Sequence, residues 1–305
     1  MATSRRTFTQ ISLGIGALMA MNPSFSAKDT TLIQRTIPST GEAIPVIGVG
    51  TNRYGVGNNQ VARATLKETL KKFHELGGTI IDTAPTYGTS EIVLGELIAD
   101  LGVQKDLFLA SKVDSKNLSD NKEGYSRSMQ RFNTQQFDLM QVHNFKDWQN
   151  SLALLKEKKA AGEIRYLGMT THMPSQYELM EQAIKQQELD FIQVNLSLAN
   201  QRISGERLIP VAADHGVAVL VNRPFGGGGG FSKLGKTSLP SWTAEFDCES
   251  WGQFLLKYVL SQAGVTATIP GMTKVRHVVD NIKGGIGMMP SAALRKRQEI
   301  FFDDL

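Results

Sequence analysis

The chain's 305 residues are 41% hydrophobic and 20% charged, the length and make-up of one α/β barrel of about 250 residues with an added end, or of two ordinary domains. The 33 Lys and Arg against 29 Asp and Glu give +4. Arg5 and Arg6 supply two of those charges near the N-terminus, and the rest form no aromatic-interleaved patch, which argues against a nucleic-acid partner. A single cysteine, Cys248, excludes an intrachain disulfide and a Cys-based zinc cluster.

The first element is a charged start, Arg5-Arg6-Thr7-Phe8, followed by an apolar run over 11–21 and the small residues Ser24 and Ser26-Ala27. That three-part order is an export signal. Its apolar run falls well short of the about 20 residues that cross a bilayer, so no stable membrane span is expected. The Arg pair resembles a twin-arginine signal, which implies the twin-arginine export machinery as a partner and a periplasmic or otherwise exported location. The expected division is a signal over 1–27 and a folded unit over 31–305.

Next, 32–37 and 44–46 flank Ser39-Thr40-Gly41-Glu42 and read as a β-hairpin. Eight short, near-continuously apolar runs follow, at 46–51, 79–84, 107–113, 139–144, 166–171, 191–197, 218–223 and 267–271. Strands buried on both faces have this character. Amphipathic stretches separate them at 60–76, 90–101, 120–133, 148–161, 175–186, 205–215, 247–263 and 274–283, and a last helix is expected over 291–302. Eight βα units predict an α/β fold, a (β/α)8 TIM barrel with an N-terminal β-hairpin. A doubly wound open sheet is the alternative, but it usually carries a glycine-rich turn after its first strand, and Gly48-Val49-Gly50-Thr51 lacks the third glycine. The run 226–230 follows a strand end and reads as a mobile loop beside the active site.

In such a barrel the chemistry lies at the carboxyl ends of the strands. Asp82 and Tyr87 follow the second run, Lys112 ends the third and His143 ends the fourth. Singly, each has an ordinary reading as a cap, a rim charge or a core residue. Jointly, an acid, a phenol, an amine and an imidazole on one rim suit carbonyl reduction. Hydride addition leaves negative charge on the carbonyl oxygen, which then needs a proton. An ammonium held by Asp82 would lower the phenol's pKa, and an imidazole would orient the substrate oxygen.

These residues, with Gly48-Val49-Gly50-Thr51, Gly162-Glu163-Ile164-Arg165, Leu167-Gly168, Gln193, Ile269-Pro270-Gly271 and Asn281, resemble the aldo-keto reductase superfamily over nearly all of the chain after about residue 31. The resemblance implies a barrel that binds NADPH, with Asp82, Tyr87, Lys112 and His143 as a catalytic tetrad and Tyr87 as general acid. It implies that Thr170, Thr171 and Gln193 meet the nicotinamide carboxamide, Thr171 standing where an Asn is usual. It places Asn222 where a stacking Tyr is usual. It also assigns Thr51, Pro224, Gly226, Gly271, Lys274, Arg276, Asp280 and Asn281 to the cofactor. Gly271-Met272 replaces a common Lys-Ser pair, while Lys274 and Arg276 supply positive charge that favours NADP(H) over NAD(H). Asn52, Tyr54 and Asn144 are the candidate substrate-pocket groups for a small carbonyl compound. The alternative function is an exported nucleotide-binding or sensor module that kept the barrel without turnover.

Overall fold

The computed structural model describes residues 31–305 apart from Gln201; the export signal expected over 1–27 lies outside the described residues. Strands β1 (Gln34–Thr36) and β2 (Ala43–Pro45) pair antiparallel, with Arg35 opposite Ile44. The eight that follow are β3 (Val49–Gly50), β4 (Ile80–Asp82), β5 (Phe108–Val113), β6 (Phe137–His143), β7 (Ile164–Thr171), β8 (Phe191–Asn195), β9 (Ala218–Asn222) and β10 (Ala267–Thr268). They form one parallel sheet in sequence order. Parallel bridges from Ile47 to Thr268 and from Gly50 to Gly271 join its two edges. The result is the (β/α)8 barrel with an N-terminal hairpin.

Closure explains the glycines of the first strand. Gly50 N donates to the Pro270 carbonyl (3.0 Å) and Gly48 N to that of Thr268 (2.8 Å). A Cβ on Gly50 would lie 2.7 Å from the Ile269 carbonyl oxygen, and one on Gly48 would lie 2.8 Å from Ile80 Cβ. Glycine lets the first and last strands meet.

Helices α1 (Gln60–Glu75), α2 (Ser90–Leu101), α3 (Leu118–Phe132), α4 (Trp148–Ala160), α5 (Tyr177–Gln186), α6 (Ile203–Asp214), α7 (Gly229–Leu234), α8 (Trp251–Leu260), α9 (Val275–Lys283) and α10 (Ala292–Asp303) surround the sheet. Their starts follow capping chemistry. Asn59, Asn117, Ser250 and Ser291 each accept a backbone N–H from the first turn of α1, α3, α8 and α10. Among the described residues no helix is long and apolar enough to cross a membrane.

Alternation along each strand sorts the side chains. Phe108, Ala110, Leu139, Tyr166, Phe191, Ala218, Leu220 and Ala267 form one buried cluster inside the barrel, and Ile37 and Ile44 of the hairpin join it. The hairpin therefore plugs the amino-terminal mouth. The neighbours of opposite parity, such as Ile81, Leu109, Met140 and Val142, pack outward in a second cluster with Leu66, Leu70 and Phe73 of α1 and Val93 and Leu94 of α2. The glycine run departs from the expected loop. Gly226, Gly227 and Gly228 take φ of 63°, 67° and 102°, a left-handed series that only glycine follows without strain. They make a tight turn that starts α7.

Candidate active site

The inward parity of the apolar layer continues to the carboxyl ends of the strands and changes character there. Ile80 gives way to Asp82, Phe108 and Ala110 to Lys112, Leu139 to Gln141 and His143, Tyr166 to Thr170, and Phe191 to Gln193. The register places Gly50 beside Asp82, Lys112 beside Gln141, His143 beside Thr170, and Thr170 beside Gln193. A polar layer thus lies on an apolar one.

Its centre is an ion pair sealed from solvent. Lys112 Nζ donates to both carboxylate oxygens of Asp82 (2.9 Å each) and to the Thr83 carbonyl (2.6 Å). The two side chains are 1% and 3% exposed. Gln193 Nε2 also donates to Asp82 Oδ1 (2.9 Å), and Thr170 Oγ1 donates to Gln193 Oε1 (2.9 Å). Burial works against the charge on Lys112, but Asp82 and the phenol of Tyr87 outweigh it and hold the lysine's pKa above its ordinary value. The ammonium lies 5.8 Å from the Tyr87 ring centroid. Lys112 pulls the phenol's pKa down, as the sequence suggested. Burial and the Asp82 carboxylate push it up, and the balance leaves Tyr87 above its usual value. The lowering expected from Lys112 is present and is the largest single influence on the phenol, but burial and Asp82 together outweigh it.

A cavity of about 480 Å³ opens above this layer. Asp82, Tyr87 and His143 line it with Thr51, Asn52, Thr170, Gln193, Asn222, Pro224 and Gly271. Lys112 lies beneath, wholly buried. Thr51 is anchored by its hydroxyl, which donates to the Asp82 carbonyl (2.8 Å). Asn222 keeps a buried Oδ1 without a hydrogen-bond partner.

Other expected residues are not at the cavity wall. Tyr54 is fully buried, and its hydroxyl donates to the Met272 carbonyl (2.7 Å); it anchors the first βα loop and does not reach the pocket. Asn144 takes φ 53°, which turns the chain away, and it too is absent from the lining. Thr171 follows Thr170 on β7 and so faces the opposite side; its hydroxyl donates to Gln176 Oε1 (2.5 Å). Gly226 is absent from the lining, to which Gly227 and Gly228 contribute. Lys274 and Arg276 are exposed at the start of α9. Asp280 accepts from Ser250 Oγ (2.9 Å) and Gln253 Nε2 (2.9 Å), tying α9 to α8, and Asn281 is buried.

The wall also contains groups that the strand-end reading passed over. His172 is one, and its signal was available: it continues the inward parity of Tyr166 and Thr170. Burial lowers its pKa, and Arg223 and His143 lower it further. Arg53 and Arg223 bring two guanidinium groups, and Phe225 and Phe231, 5.0 Å between ring centroids, bring an aromatic surface. That surface lines the same cavity as Asn222. Among the described residues no cluster of His, Cys, Asp or Glu has the make-up of a metal site.

Comparison with known proteins gives the family. The model of the "Aldo/keto reductase family" matches residues 46–285. The chain is 29% identical over 260 residues to "Methylglyoxal reductase YeaE" of Escherichia coli, covering 81% of this chain and 88% of that protein. It is 26% identical over 213 residues to the "NADH-specific methylglyoxal reductase" of the same organism, covering 59% of this chain and 63% of that one. Among solved structures, an aldo/keto reductase from Klebsiella pneumoniae in complex with NADP and acetate superposes with a TM-score of 0.73 at 24% identity, covering 86% of this chain and 93% of that one. Fold, polar layer and family match converge: the chain belongs to the aldo/keto reductase family and is an NAD(P)H-dependent oxidoreductase.

Proposed function

We propose that this enzyme reduces small aldehydes and ketones to alcohols with NADP(H) in preference to NAD(H), and that Asp82, Tyr87, Lys112 and His143 act together. The observation that carries the reading is the buried Asp82–Lys112 pair beneath Tyr87, with the phenol and His143 on one cavity wall. The residues present suit a dinucleotide. Asn222 offers an unsatisfied buried acceptor, Thr170 and Gln193 are polar at the same wall, and Gly227, Gly228 and Gly271 leave the wall without side chains. Lys274 and Arg276 at the amino end of α9 would meet an added phosphate, since helix amino ends and cations both favour one. The bound cofactor would supply the hydride.

The protein's part is to hold the carbonyl and deliver a proton. His143 and Tyr87 would both face the substrate oxygen, so charge developing there meets two donors. Tyr87, kept above its usual pKa, is protonated throughout the neutral range. It loses that proton only when an alkoxide, a far stronger base than phenolate, forms beside it. Lys112 then stabilises the phenolate. Asp82 keeps the lysine charged in the dry interior, and Gln193 fixes Asp82.

The methylglyoxal reductases among the relatives make 2-oxoaldehydes the first substrates to test. With methylglyoxal and NADPH, Tyr87→Phe should lower kcat/KM by about 10²- to 10⁴-fold, with NADPH binding, followed by fluorescence, unchanged. Turnover equal to wild type would reject the tetrad. The Thr171 hydroxyl, engaged by Gln176, and Asn222, standing where the family usually has a stacking ring, favour a second reading, a nucleotide-binding module without turnover; NADPH binding with no reduction across a carbonyl panel would select it. We also propose export through the twin-arginine machinery. Residues 1–27 fused to a folded reporter should carry it out of the cytoplasm, and Arg5→Lys with Arg6→Lys should stop it.

A further inference from the structure

His143 is held from behind by a carboxylate outside the tetrad. On β5 the inward positions Phe108, Ala110 and Lys112 continue to Asp114, the first residue past the strand. On β6, Leu139 and Gln141 continue to His143. The two strands run in register with Lys112 beside Gln141, so the next inward step brings Asp114 to His143. Asp114 Oδ2 and His143 Nδ1 lie 2.8 Å apart. The other carboxylate oxygen pairs with Lys146. Lys146 reaches back because Asn144, Phe145 and Asp147 take φ of 53°, 58° and 41°, a backbone that non-glycine residues seldom adopt and that marks functional segments.

The chemistry of the contact fixes the proton. The Asp114 side chain is 4% exposed. Burial works to raise its pKa, but the hydrogen bonds from His143 and Lys146 prevail and hold it below the usual carboxylate value. An ionised carboxylate only accepts, so the shared proton belongs to Nδ1. His143 lines the cavity and Asp114 does not, which leaves Nε2 for the substrate. With Nδ1 protonated, a neutral ring presents a lone pair at Nε2, and only the imidazolium presents N–H there.

Resting on the tetrad reading, we infer that Asp114 is a positioning residue for the reduction: it fixes His143 with Nδ1 protonated and supplies the countercharge for an imidazolium that donates from Nε2 to the carbonyl oxygen. Lys146 keeps Asp114 ionised. The other charged or titratable groups on the same wall are the Asp82 carboxylate, already bound to Lys112, Tyr87 after β4, which stays protonated, and Arg53, Arg223 and His172, whose positive charges would oppose an imidazolium. Among these groups Asp114 is the carboxylate in direct contact with the ring.

The test uses the full chain labelled with ¹⁵N-histidine. There are five histidines, and His143→Asn identifies the signals of His143. Long-range ¹H–¹⁵N spectra of the wild type should show Nδ1 of His143 protonated on both sides of its titration. A neutral ring protonated at Nε2 overturns the inference without recourse to any variant at position 114. In Asp114→Asn the neutral ring of His143 should lose its preference for the proton on Nδ1. The alkaline limb of kcat/KM with methylglyoxal and NADPH should move to lower pH, and Asp114→Glu should restore part of both. An unmoved limb in Asp114→Asn that still binds NADPH overturns the inference. Tyr87→Phe in the same assay separates the two readings. Full turnover there rejects the tetrad and with it the catalytic meaning of this contact. Loss there with an unmoved limb in Asp114→Asn rejects only the role of Asp114.

Discussion

The two mouths of the barrel are built from the same eight strands by opposite rules. At the amino-terminal mouth the hairpin brings Ile37 and Ile44 onto Phe108, Tyr166 and Phe191, whose rings lie 5.5–6.0 Å apart. The one polar tip among those rings, the Tyr166 hydroxyl, is satisfied by Thr40 and Glu42. At the carboxyl-terminal mouth a charged pair is buried, polar atoms of Asn144, Asp147 and Asn222 lack partners, and four of the six described non-glycine residues with positive φ, Asn144, Phe145, Asp147 and Arg223, stand in the loops. One mouth obeys local preference and gains stability. The other departs from it around a cavity, as functional sites do.

The largest test of that contrast is at Lys112. Lys112→Met should abolish reduction, lowering kcat/KM by at least about 10²-fold. It also strands the Asp82 carboxylate in the interior, which typically costs about 3–5 kcal/mol. Adding Asp82→Asn should recover most of that stability, since replacing both members of a buried pair is often neutral, while activity stays lost. Denaturant unfolding and turnover of the two variants check this. A double variant no more stable than the single one would mean the pair holds the barrel together instead of serving its chemistry.

The opposite mouth should respond in reverse. Phe191→Ala opens a void among the three rings and should cost about 3–5 kcal/mol, yet the folded fraction should keep its NADPH affinity and kcat/KM. A comparable loss of stability with a changed affinity would show that the apolar layer also positions the polar one above it.

The contrast also explains which parts of the molecule were legible. Apolar runs and periodicity placed every barrel strand and crossover, because burial on two faces writes itself into composition. The glycines Gly48 and Gly50 were visible as a motif, but their reason, closure against Ile80 and Ile269, needs three dimensions. Asp82, Tyr87, Lys112 and His143 were legible because strand ends have a fixed address. Alternation puts Thr171 on the face opposite Thr170, where its hydroxyl meets Gln176, and the same parity would have found His172 and Asp114. Tyr54 and Asn144 could not be placed by parity. They lie past strand ends, where a carbonyl from Met272 and a left-handed backbone at Asn144 decide direction.

The smallest expected effect contrasts two phenols, one buried and one half-buried. Tyr166 at the closed mouth has its pKa raised by burial and by the Glu42 carboxylate. Tyr87 at the open mouth is also raised, on a balance that includes Lys112. A group that titrates higher folded than unfolded holds its proton longer in the native state, so its contribution to stability is complete below the unfolded value of 10.0 and is lost as pH rises above it. Tyr166→Phe removes the hydrogen bond to Glu42 and should cost about 1 kcal/mol at pH 7. It should also flatten the fall in unfolding free energy above pH 10, leaving reduction of methylglyoxal untouched. Tyr87→Phe should abolish reduction with little effect on stability at pH 7. Urea unfolding at pH 7, 9 and 10.5 separates the two. Equal stability losses from both substitutions at pH 7 would show that the open mouth contributes as much to the fold as the closed one, against the division of labour drawn from their packing.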